Sequence, residues 1–299
     1  MSVSRRTILK GIVAAGAAAA AGASVPKAVS AAREPKKAPA DAVGMLYDAT
    51  KCIGCKTCVQ RCKEANKLPP DTQMMGGIYD APIDLNGKTK NIIKLYKGED
   101  GKQSYMKRQC MHCLDPSCAS VCMVGSYKKR EYGIVTWDPS RCIGCRTCMV
   151  ACHFNIPKME WDSNAPKIVK CEMCNHLLKE GKIPGCCEVC PRQAVIYGKY
   201  TELLADAKSR LAMEPNRYFP KIYGENDAGG TQVLYLSAAG IPFEKLGLPN
   251  LGTEPVPATS EVIQHGIYQG FVAPIALYAV LAGVLFRNRK ALTGKEGAE

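Results

Sequence analysis

The sequence CIGCKTCVQRC, residues 52–62, holds four cysteines within eleven positions and constrains the fold more than any other feature. The first three cysteines follow one another at intervals of three residues, whereas Cys62 comes four residues after Cys58. The same pattern returns as CIGCRTCMVAC at 142–152, with seven of the eleven positions identical and all four cysteines in register. This internal repeat indicates two copies of one ligand-bearing loop.

Two further groups of cysteines lie between and after these copies. With them, sixteen of the 17 cysteines fall into four quartets, and Cys187 remains unassigned. Cys186 is assigned to the last quartet because its x3 spacing to Cys190 is the same as in the other groups. We therefore predict that Cys187 is a buried or partly buried spare thiol. The two groups read Cys110-x2-Cys113-x4-Cys118-x3-Cys122 and Cys171-x2-Cys174-x11-Cys186-x3-Cys190-Pro191.

The spacing of the cysteines favours cubane iron–sulfur clusters. Three cysteines at intervals of three can wrap three corners of a [4Fe–4S] cube, and a fourth about one helical turn further on ligates another cube. Zinc sites use two cysteine pairs per metal and lack such a triplet. Cysteines this close in sequence also pair poorly as disulfides. We predict that Cys62 ligates a different cube from its three neighbours in the sequence.

The N-terminal segment, residues 1–32, is typical of a twin-arginine export signal. Arg5 and Arg6 precede a stretch rich in alanine and glycine, and small residues follow near 29–31. The alternative is an uncleaved membrane anchor, which alanine and glycine disfavour. Cofactor loading before export would protect the thiols from oxidation to disulfides outside the cytoplasm.

Charge and composition bear on the partners. Loss of residues 1–32 removes four basic residues and no acidic one, so the remaining chain is still basic. Aromatic residues that could stack on bases are sparse, and we predict no nucleic-acid binding. A basic surface is better suited to docking on acidic protein surfaces.

Short strand-like segments beside the cysteine loops predict an α+β fold with two interleaved ferredoxin-like modules. We predict an inner module at 105–157 and an outer module formed by 43–66 plus 165–200, together one domain at 43–200. Residues 201–262 are predicted to form a C-terminal extension. A helix is predicted from Asp115-Pro116 through Cys122, with proline at an early position. The predicted strands lie at 45–47, 105–107, 134–137, 168–170 and 194–197.

The C-terminal region predicts one transmembrane helix at 266–287 and a cytoplasmic tail at 288–299. The 21 residues from Gly266 to Phe286 carry no charge. At about 1.5 Å per residue they extend roughly 31 Å, enough for a hydrocarbon core of about 30 Å. Basic residues follow at once, and positive flanks stay on the cytoplasmic side. The prediction places the cysteine domain on the periplasmic side of the inner membrane; the alternative is a buried core helix.

The four cysteine groups resemble the four-cluster ferredoxin-type subunits of respiratory oxidoreductases. Such subunits serve molybdopterin enzymes (formate dehydrogenase, dimethyl-sulfoxide and polysulfide reductases) and membrane [NiFe] hydrogenases. The strongest similarity is to the iron–sulfur subunit of Hyb-type respiratory [NiFe] hydrogenases. One departure is that proline follows only Cys190, whereas Met123 and His153 follow the fourth cysteines of two other groups. The similarity lies in GMLYDATKCIGC, QCMHCLDPSCASVC, GCRTCMVAC, KCEMCN, YGENDAGGTQVLYL and EVIQHGIYQG.

The resemblance implies four [4Fe–4S] clusters, with iron bound by cysteines alone. It pairs the first cysteine group with the last and the second with the third, which defines four sites. Site 1 is Cys52, Cys55, Cys58 and Cys190; site 2 is Cys62, Cys171, Cys174 and Cys186; site 3 is Cys110, Cys113, Cys118 and Cys152; site 4 is Cys122, Cys142, Cys145 and Cys148.

The sequence predicts a non-catalytic electron carrier. It contains no dinucleotide loop, Walker loop or nucleophile–base pair, and sixteen cysteines leave no iron of four cubes open to a substrate. A self-sufficient reductase and a structural or sensor protein are the alternatives. His112 and His176, inside cysteine loops, are predicted to donate hydrogen bonds near cluster sulfides.

The resemblance also implies the partners. They are hydrogenase small and large subunits and an integral membrane subunit that interacts with quinone. The alternative is the same relay role beside a molybdopterin oxidoreductase of the formate dehydrogenase, polysulfide reductase or dimethyl-sulfoxide reductase type.

Overall fold

The computed structural model describes residues 34–70, 84–98, 101–164, 166–258, 261 and 274–286. The predicted export signal and cytoplasmic tail lie outside these residues, and so do 266–273 and 287 of the predicted transmembrane helix. Residues 274–286 are helical. Within the described ranges, no helix is both long and apolar enough to cross a membrane.

Residues Glu34–Ala258 form one compact unit built from short strands and helices. Each of the five strand segments predicted beside the cysteine loops overlaps a strand, so that prediction is confirmed. In chain order the elements are β1 (Val43–Asp48), α1 (Thr57–Ala65), β2 (Ile92–Lys97), β3 (Gln103–Arg108), α2 (Ser117–Ser120), β4 (Tyr127–Lys129), β5 (Val135–Trp137), α3 (Thr147–Ala151), β6 (Lys158–Met159), β7 (Ile168–Val169), α4 (Asn175–Leu178), α5 (Gly185–Glu188), β8 (Val195–Lys199), α6 (Tyr200–Met213) and β9 (Val233–Leu236).

The central sheet has the strand order β8-β1-β9. β1 runs antiparallel to β8, with Met45 opposite Tyr197, and parallel to β9, with Met45 opposite Val233. Every residue of β1 is buried, as expected for a central strand whose two faces are both covered. Since β9 belongs to the predicted C-terminal extension, this extension shares a sheet with β1, the strand that precedes the first cysteine loop.

Three antiparallel strand pairs lie next to the remaining cysteine loops. They are β2 with β3, β4 with β5, and β6 with β7. Helix α1 packs on α5, and α2 packs on α3. The first cysteine group therefore meets the last, and the second group meets the third.

Helix α6 covers one face of the central sheet. Its buried residues Tyr200, Leu203 and Ala207 are spaced by three and four positions, which places them on one side of a helix. They pack against Leu46 and Leu234 of the sheet. Helix α2 is shorter than predicted: it begins at Ser117, directly after a proline in extended conformation, and ends before the last cysteine of its group.

Candidate metal centres

The two copies of the CIGC sequence fold in the same way. Gly54 and Gly144 have φ angles of 72° and 70°, and Lys56 and Arg146 have φ angles of 57° and 65°. These left-handed residues turn the chain so that a helix begins directly after each loop, α1 in the first copy and α3 in the second. The sequence repeat is therefore a repeat of backbone geometry.

Several cysteine sulfurs accept hydrogen bonds from nearby protein groups. The donors occupy equivalent positions in two groups each: a threonine hydroxyl two residues after the second cysteine in the first and third groups, and a backbone N–H four residues after the fourth cysteine in the second and last groups. Such bonds support a negatively charged sulfur. They run from Thr57 Oγ1 to Cys55 Sγ (3.4 Å), Thr147 Oγ1 to Cys145 Sγ (3.5 Å), Ser126 N to Cys122 Sγ (3.2 Å) and Ala194 N to Cys190 Sγ (3.2 Å).

Two cavities are each lined by a complete predicted quartet. In both, the fourth cysteine comes from a different sequence group than the other three. The fourth is Cys190 in site 1 and Cys152 in site 3. The first cavity is lined by Cys52, Cys55, Cys58 and Cys190, and the second by Cys110, Cys113, Cys118 and Cys152.

At site 2, cysteines from the first and last groups meet across the packing of α1 on α5. The side-chain amide of Asn66 is 3.7 Å from Cys62 Sγ and 3.8 Å from Cys174 Sγ. Burial raises the pKa of the Cys62 thiol to about 12, and the nearby Cys186 contributes to this rise. Cys62 thus lies beside cysteines of the last group.

At site 4, three cysteines of the second copy of the repeat lie near the last cysteine of the preceding group. Burial raises the pKa of Cys148, and negative charge on Cys142, Cys145 and Cys122 raises it further. Cys145 is exposed, unlike the cysteines of the other sites, which are buried or half-buried. Site 4 is therefore at the protein surface.

Electrostatic coupling connects each site with the next. Burial raises the pKa of Cys58 to about 12, Lys107 opposes this, and Cys186 of site 2 adds to it. Burial and Cys62 raise the pKa of Cys171, and Cys110 of site 3 raises it further. Such effects require charges close together.

The last connection joins sites 3 and 4. Burial raises the pKa of Cys118 and Lys170 opposes this. Cys110 and Cys152 of the same site raise the pKa of Cys118, and Cys148 of site 4 adds to the rise. These charge effects relate each predicted site to the next one, in the order 1, 2, 3, 4.

The donor atoms fit [4Fe–4S] cubes. All 17 cysteines, each within the described residues, are free thiols. His112 is fully buried, and its Nδ1 accepts a hydrogen bond from the Val135 backbone N–H at 3.2 Å. Among the described residues its Nε2 has no hydrogen-bond partner, and His112 is not one of the residues that line the site 3 cavity. Within the same residues, no group of three His, Cys, Asp or Glu side chains is arranged to hold a single metal ion.

The other singled-out residues differ in their surroundings. His176 Nε2 is 2.8 Å from the Ala65 carbonyl oxygen, so this contact, and not a sulfur, occupies that ring nitrogen. His153 lines the site 3 cavity and its ring packs on Phe154 at a centroid distance of 4.4 Å. Cys187 is partly buried, and its hydrogen bond with Cys186 lowers the pKa of Cys186 below its ordinary value.

Sequence reasoning missed three polar residues beside the sites. These are Asn66, which contacts two sulfurs of site 2, and the buried lysines Lys107 and Lys170, which line the cavities of sites 1 and 3. A signal existed for the lysines. Lys170 directly follows the apolar strand Ile168–Val169, where a charged residue is unexpected, and Lys107 lies in the strand Gln103–Arg108 that leads into the second cysteine group.

Comparison with known proteins agrees with this geometry. Residues 102–200 match the 4Fe-4S dicluster domain family. Fold and cysteine sites therefore define a ferredoxin-type iron–sulfur protein.

The chain is 38% identical to the hydrogenase-2 operon protein HybA of Escherichia coli O157:H7, with 96% of each chain covered. It is 33% identical to the iron–sulfur subunit of the nitrate-inducible formate dehydrogenase of Escherichia coli strain K12, over 82% of this chain and 83% of that one. The formate dehydrogenase-O iron–sulfur subunit of the same strain is 32% identical over 78% and 77%. The chain belongs to the family of HybA and these formate dehydrogenase iron–sulfur subunits, and the resemblance found in the sequence is confirmed.

Proposed function

We propose that this chain is an electron-transfer subunit that carries electrons through four [4Fe–4S] clusters at sites 1 to 4. The observation that carries the proposal is that two cavities are each lined by a complete cysteine quartet drawn from two sequence groups. The sixteen cysteines are the proposed ligands, in the quartets defined from the sequence. Membership of a family of iron–sulfur subunits supports the proposal.

The residues of the chain have distinct tasks in this relay. When bound, the clusters supply one-electron carriers, and the thiolates hold them in place. Tyr47 helps to enclose site 1: it lines the cavity, and its hydroxyl donates to the Tyr105 carbonyl oxygen at 2.8 Å. Asn66 orients two sulfurs of site 2. Most cysteines of sites 2 and 3 are buried, which limits the access of water there, whereas site 4 has the exposed Cys145, where a partner can exchange electrons.

We infer that the chain itself catalyses no reaction. Sixteen thiolates would complete the ligand sets of four cubes, so no iron is left open for a substrate. The relay would therefore depend on a catalytic partner, in keeping with the relatives that are named as subunits of formate dehydrogenases.

The proposed partners are the small and large subunits of a [NiFe] hydrogenase and an integral membrane quinone-interacting subunit. HybA is named as a hydrogenase-2 operon protein and covers 96% of the chain, which favours hydrogenase. Formate dehydrogenase iron–sulfur subunits match with lower identity and coverage, so a molybdopterin oxidoreductase is the second candidate.

We further propose export by the twin-arginine route, with residues 1–32 as the signal, and a position on the periplasmic side of the inner membrane, anchored by a helix at 266–287.

The cluster count is tested by chemical analysis. Anaerobically purified full-length protein is assayed for iron and acid-labile sulfide per chain. Four cubes correspond to about sixteen irons and about sixteen sulfides. About eight of each would contradict the proposal of four clusters.

The partner is tested in membranes that contain the whole complex. Under anaerobic conditions, hydrogen or formate is added, and reduction of the clusters is followed by electron paramagnetic resonance. Reduction by hydrogen, lost when the chain is deleted, is the expected result. Reduction by formate alone would favour the molybdopterin alternative, and reduction by neither donor would contradict both.

A further inference from the structure

Lys107 and Lys170 are buried side chains in the walls of cysteine cavities. Lys107 is 0% exposed and Lys170 is 3% exposed. The Lys107 ammonium donates to Gln109 Oε1, and the Lys170 ammonium donates to the carbonyl oxygens of Val135 and Cys171. Within the described part of the chain, neither ammonium forms an ion pair with a carboxylate. A buried lysine normally needs a counter-charge. For these two lysines, groups other than carboxylates must supply it.

Both ammonium groups belong to side chains that line cysteine cavities. Lys107 shares the wall of one cavity with all four cysteines of site 1. Lys170 shares the wall of the other with all four cysteines of site 3. The backbone at Lys107 is fixed as well, since the Tyr235 hydroxyl donates to its carbonyl oxygen at 2.9 Å. Each cavity therefore has a positive charge built into its wall.

The charges around Lys107 come from two neighbouring sites. Burial by itself lowers its pKa, but negative charge on Cys186, Cys58 and Cys171 outweighs burial and raises the pKa above its ordinary value. Cys58 belongs to site 1, whereas Cys186 and Cys171 belong to site 2. Lys107 therefore lies close to sulfurs of both sites.

Lys170 has the same relation to the next pair of sites. Its ammonium donates to the carbonyl oxygen of Cys171, a proposed ligand of site 2, at 2.9 Å, and its side chain lines the site 3 cavity. Lys107 is thus near sites 1 and 2, and Lys170 is near sites 2 and 3. Among the described residues of site 4 no such buried lysine is found, and that site faces solvent instead.

We propose that Lys107 and Lys170 are positioning residues of the relay, whose fixed positive charges raise the reduction potentials of the adjacent cubes at sites 1, 2 and 3. This inference rests on the proposed function. A cube held by four thiolates is negatively charged, and each added electron makes it more so. A nearby ammonium therefore stabilises the reduced state more than the oxidised state. The electron stays on the cube, and the lysine keeps its proton throughout.

The experiment is a redox titration of full-length, anaerobically purified protein, followed by electron paramagnetic resonance. Lys107→Met and Lys170→Met remove the charge, and Lys107→Arg and Lys170→Arg keep it. Lys208→Met is the control, because this surface lysine pairs with Glu225 at 2.7 Å. Signals are assigned to sites with cysteine-to-serine variants, and iron is measured in every sample.

We expect Lys107→Met to lower the potential of the clusters at sites 1 and 2, and Lys170→Met that of the clusters at sites 2 and 3. A tenfold change in the one-electron equilibrium corresponds to a shift of about 59 mV, and we expect at least this much. The arginine variants should return the potentials toward the wild-type values. Site 4 should not shift in either variant, and Lys208→Met should shift nothing.

Unchanged potentials in methionine variants that retain wild-type iron would overturn the inference, and so would equal shifts in the arginine variants. Where a methionine variant loses iron, the glutamine variant is titrated instead, since it keeps hydrogen bonding without charge. Loss of clusters from both neutral variants would show a role in assembly and contradict one in tuning. Wild-type protein without clusters would contradict the proposed function itself, which is a separate outcome.

Discussion

At the scale of single residues, Asn66 connects the fourth cysteine of the first group with a cysteine of the last group. Its side-chain amide contacts sulfurs of both Cys62 and Cys174. Cys62 lies one helical turn beyond Cys58 in α1, the helix that packs on α5, so its sulfur is displaced along the helix from that of Cys58. The x3 spacing in the sequence therefore predicts the change of site, whereas nothing in the sequence marks Asn66.

The division of the cysteines can be tested by single substitutions. We expect Cys62→Ser to alter the cluster at site 2 and Cys190→Ser the cluster at site 1, because removal of one thiolate ligand changes only its own cube. Electron paramagnetic resonance of the reduced variants should show two different changed signals. Cys187→Ser is the control and should leave every signal as in the wild type. A signal lost in that control would identify Cys187, and not Cys186, as the ligand.

Two glycines with the same backbone conformation have different surroundings. A Cβ atom on Gly54 would be 2.2 Å from a ring carbon of Tyr105, whereas on Gly144 the nearest atom would be the terminal methyl carbon of Met159 at 3.5 Å. Both positions have positive φ, so alanine is strained at each by about 1 kcal/mol. Only at Gly54 would the added Cβ also collide with an aromatic ring, and such overpacking lowers the stability by about 1–3 kcal/mol more.

We therefore expect Gly54→Ala to be more harmful than Gly144→Ala. Gly54→Ala should lower the apparent melting temperature by several degrees more and reduce the cluster signal of site 1. Circular dichroism during heating and iron analysis measure the two effects. Equal effects of the two substitutions would mean that the loss of stability comes from strain at positive φ alone, without a contribution from Tyr105.

At the scale of secondary-structure elements, the sequence predicts what is local and misses what is distant. The strands beside the cysteine loops are recognisable because β-branched and aromatic residues cluster there. The parallel pairing of β1 with β9 is not, since the two strands are far apart in the chain and no turn sets their register. The sequence does not predict helix α6 for a related reason. Its apolar face is narrow, and it can be recognised as a buried face only from its packing on that sheet.

Asp48 connects these elements. This carboxylate at the end of β1 accepts hydrogen bonds from Arg210 of α6 at 3.2 Å, from Tyr218 at 2.9 Å and from the Thr50 backbone N–H at 3.0 Å. Its side chain is 1% exposed. Arg210 also pairs with Asp206, which is 40% exposed. The same guanidinium therefore forms one buried and one exposed ion pair, which provides a matched comparison.

We expect Asp48→Ala to destabilise the protein far more than Asp206→Ala. Removal of one partner from a buried pair costs about 3 kcal/mol, whereas an exposed pair contributes about 0.5 kcal/mol. For a chain of this size, 3 kcal/mol corresponds to a fall in melting temperature of roughly 6–12 °C. Thermal unfolding of the two variants under anaerobic conditions measures the difference. Similar melting temperatures would show that the contact between β1 and α6 does not depend on Asp48.

At the scale of the whole molecule, the proposed topology rests on segments at both ends of the chain. The cysteine sites lie inside the unit Glu34–Ala258. In the sequence, the proposed export signal precedes this unit and the proposed membrane helix follows it. Local composition is sufficient to predict such segments, because an apolar run needs no distant partner to be recognised. The run at 266–287 includes the described helical residues 274–286, of which Ile275, Leu285 and Phe286 are exposed.

We expect the C-terminal helix to anchor the chain in the membrane without its partners. In cells that lack the partner subunits, the full-length chain should stay in the membrane fraction after carbonate extraction, and a chain without residues 266–299 should be released. A double variant, Leu277→Arg and Leu281→Arg, is the matched control: each arginine near the centre of a span costs about 2.5–3.5 kcal/mol, so this variant should also be released. Protease added from the periplasmic side should digest the cysteine domain of the anchored protein. Release of the unaltered chain by carbonate would contradict the anchor, because an apolar span in hydrocarbon is not extracted by a change of pH and salt.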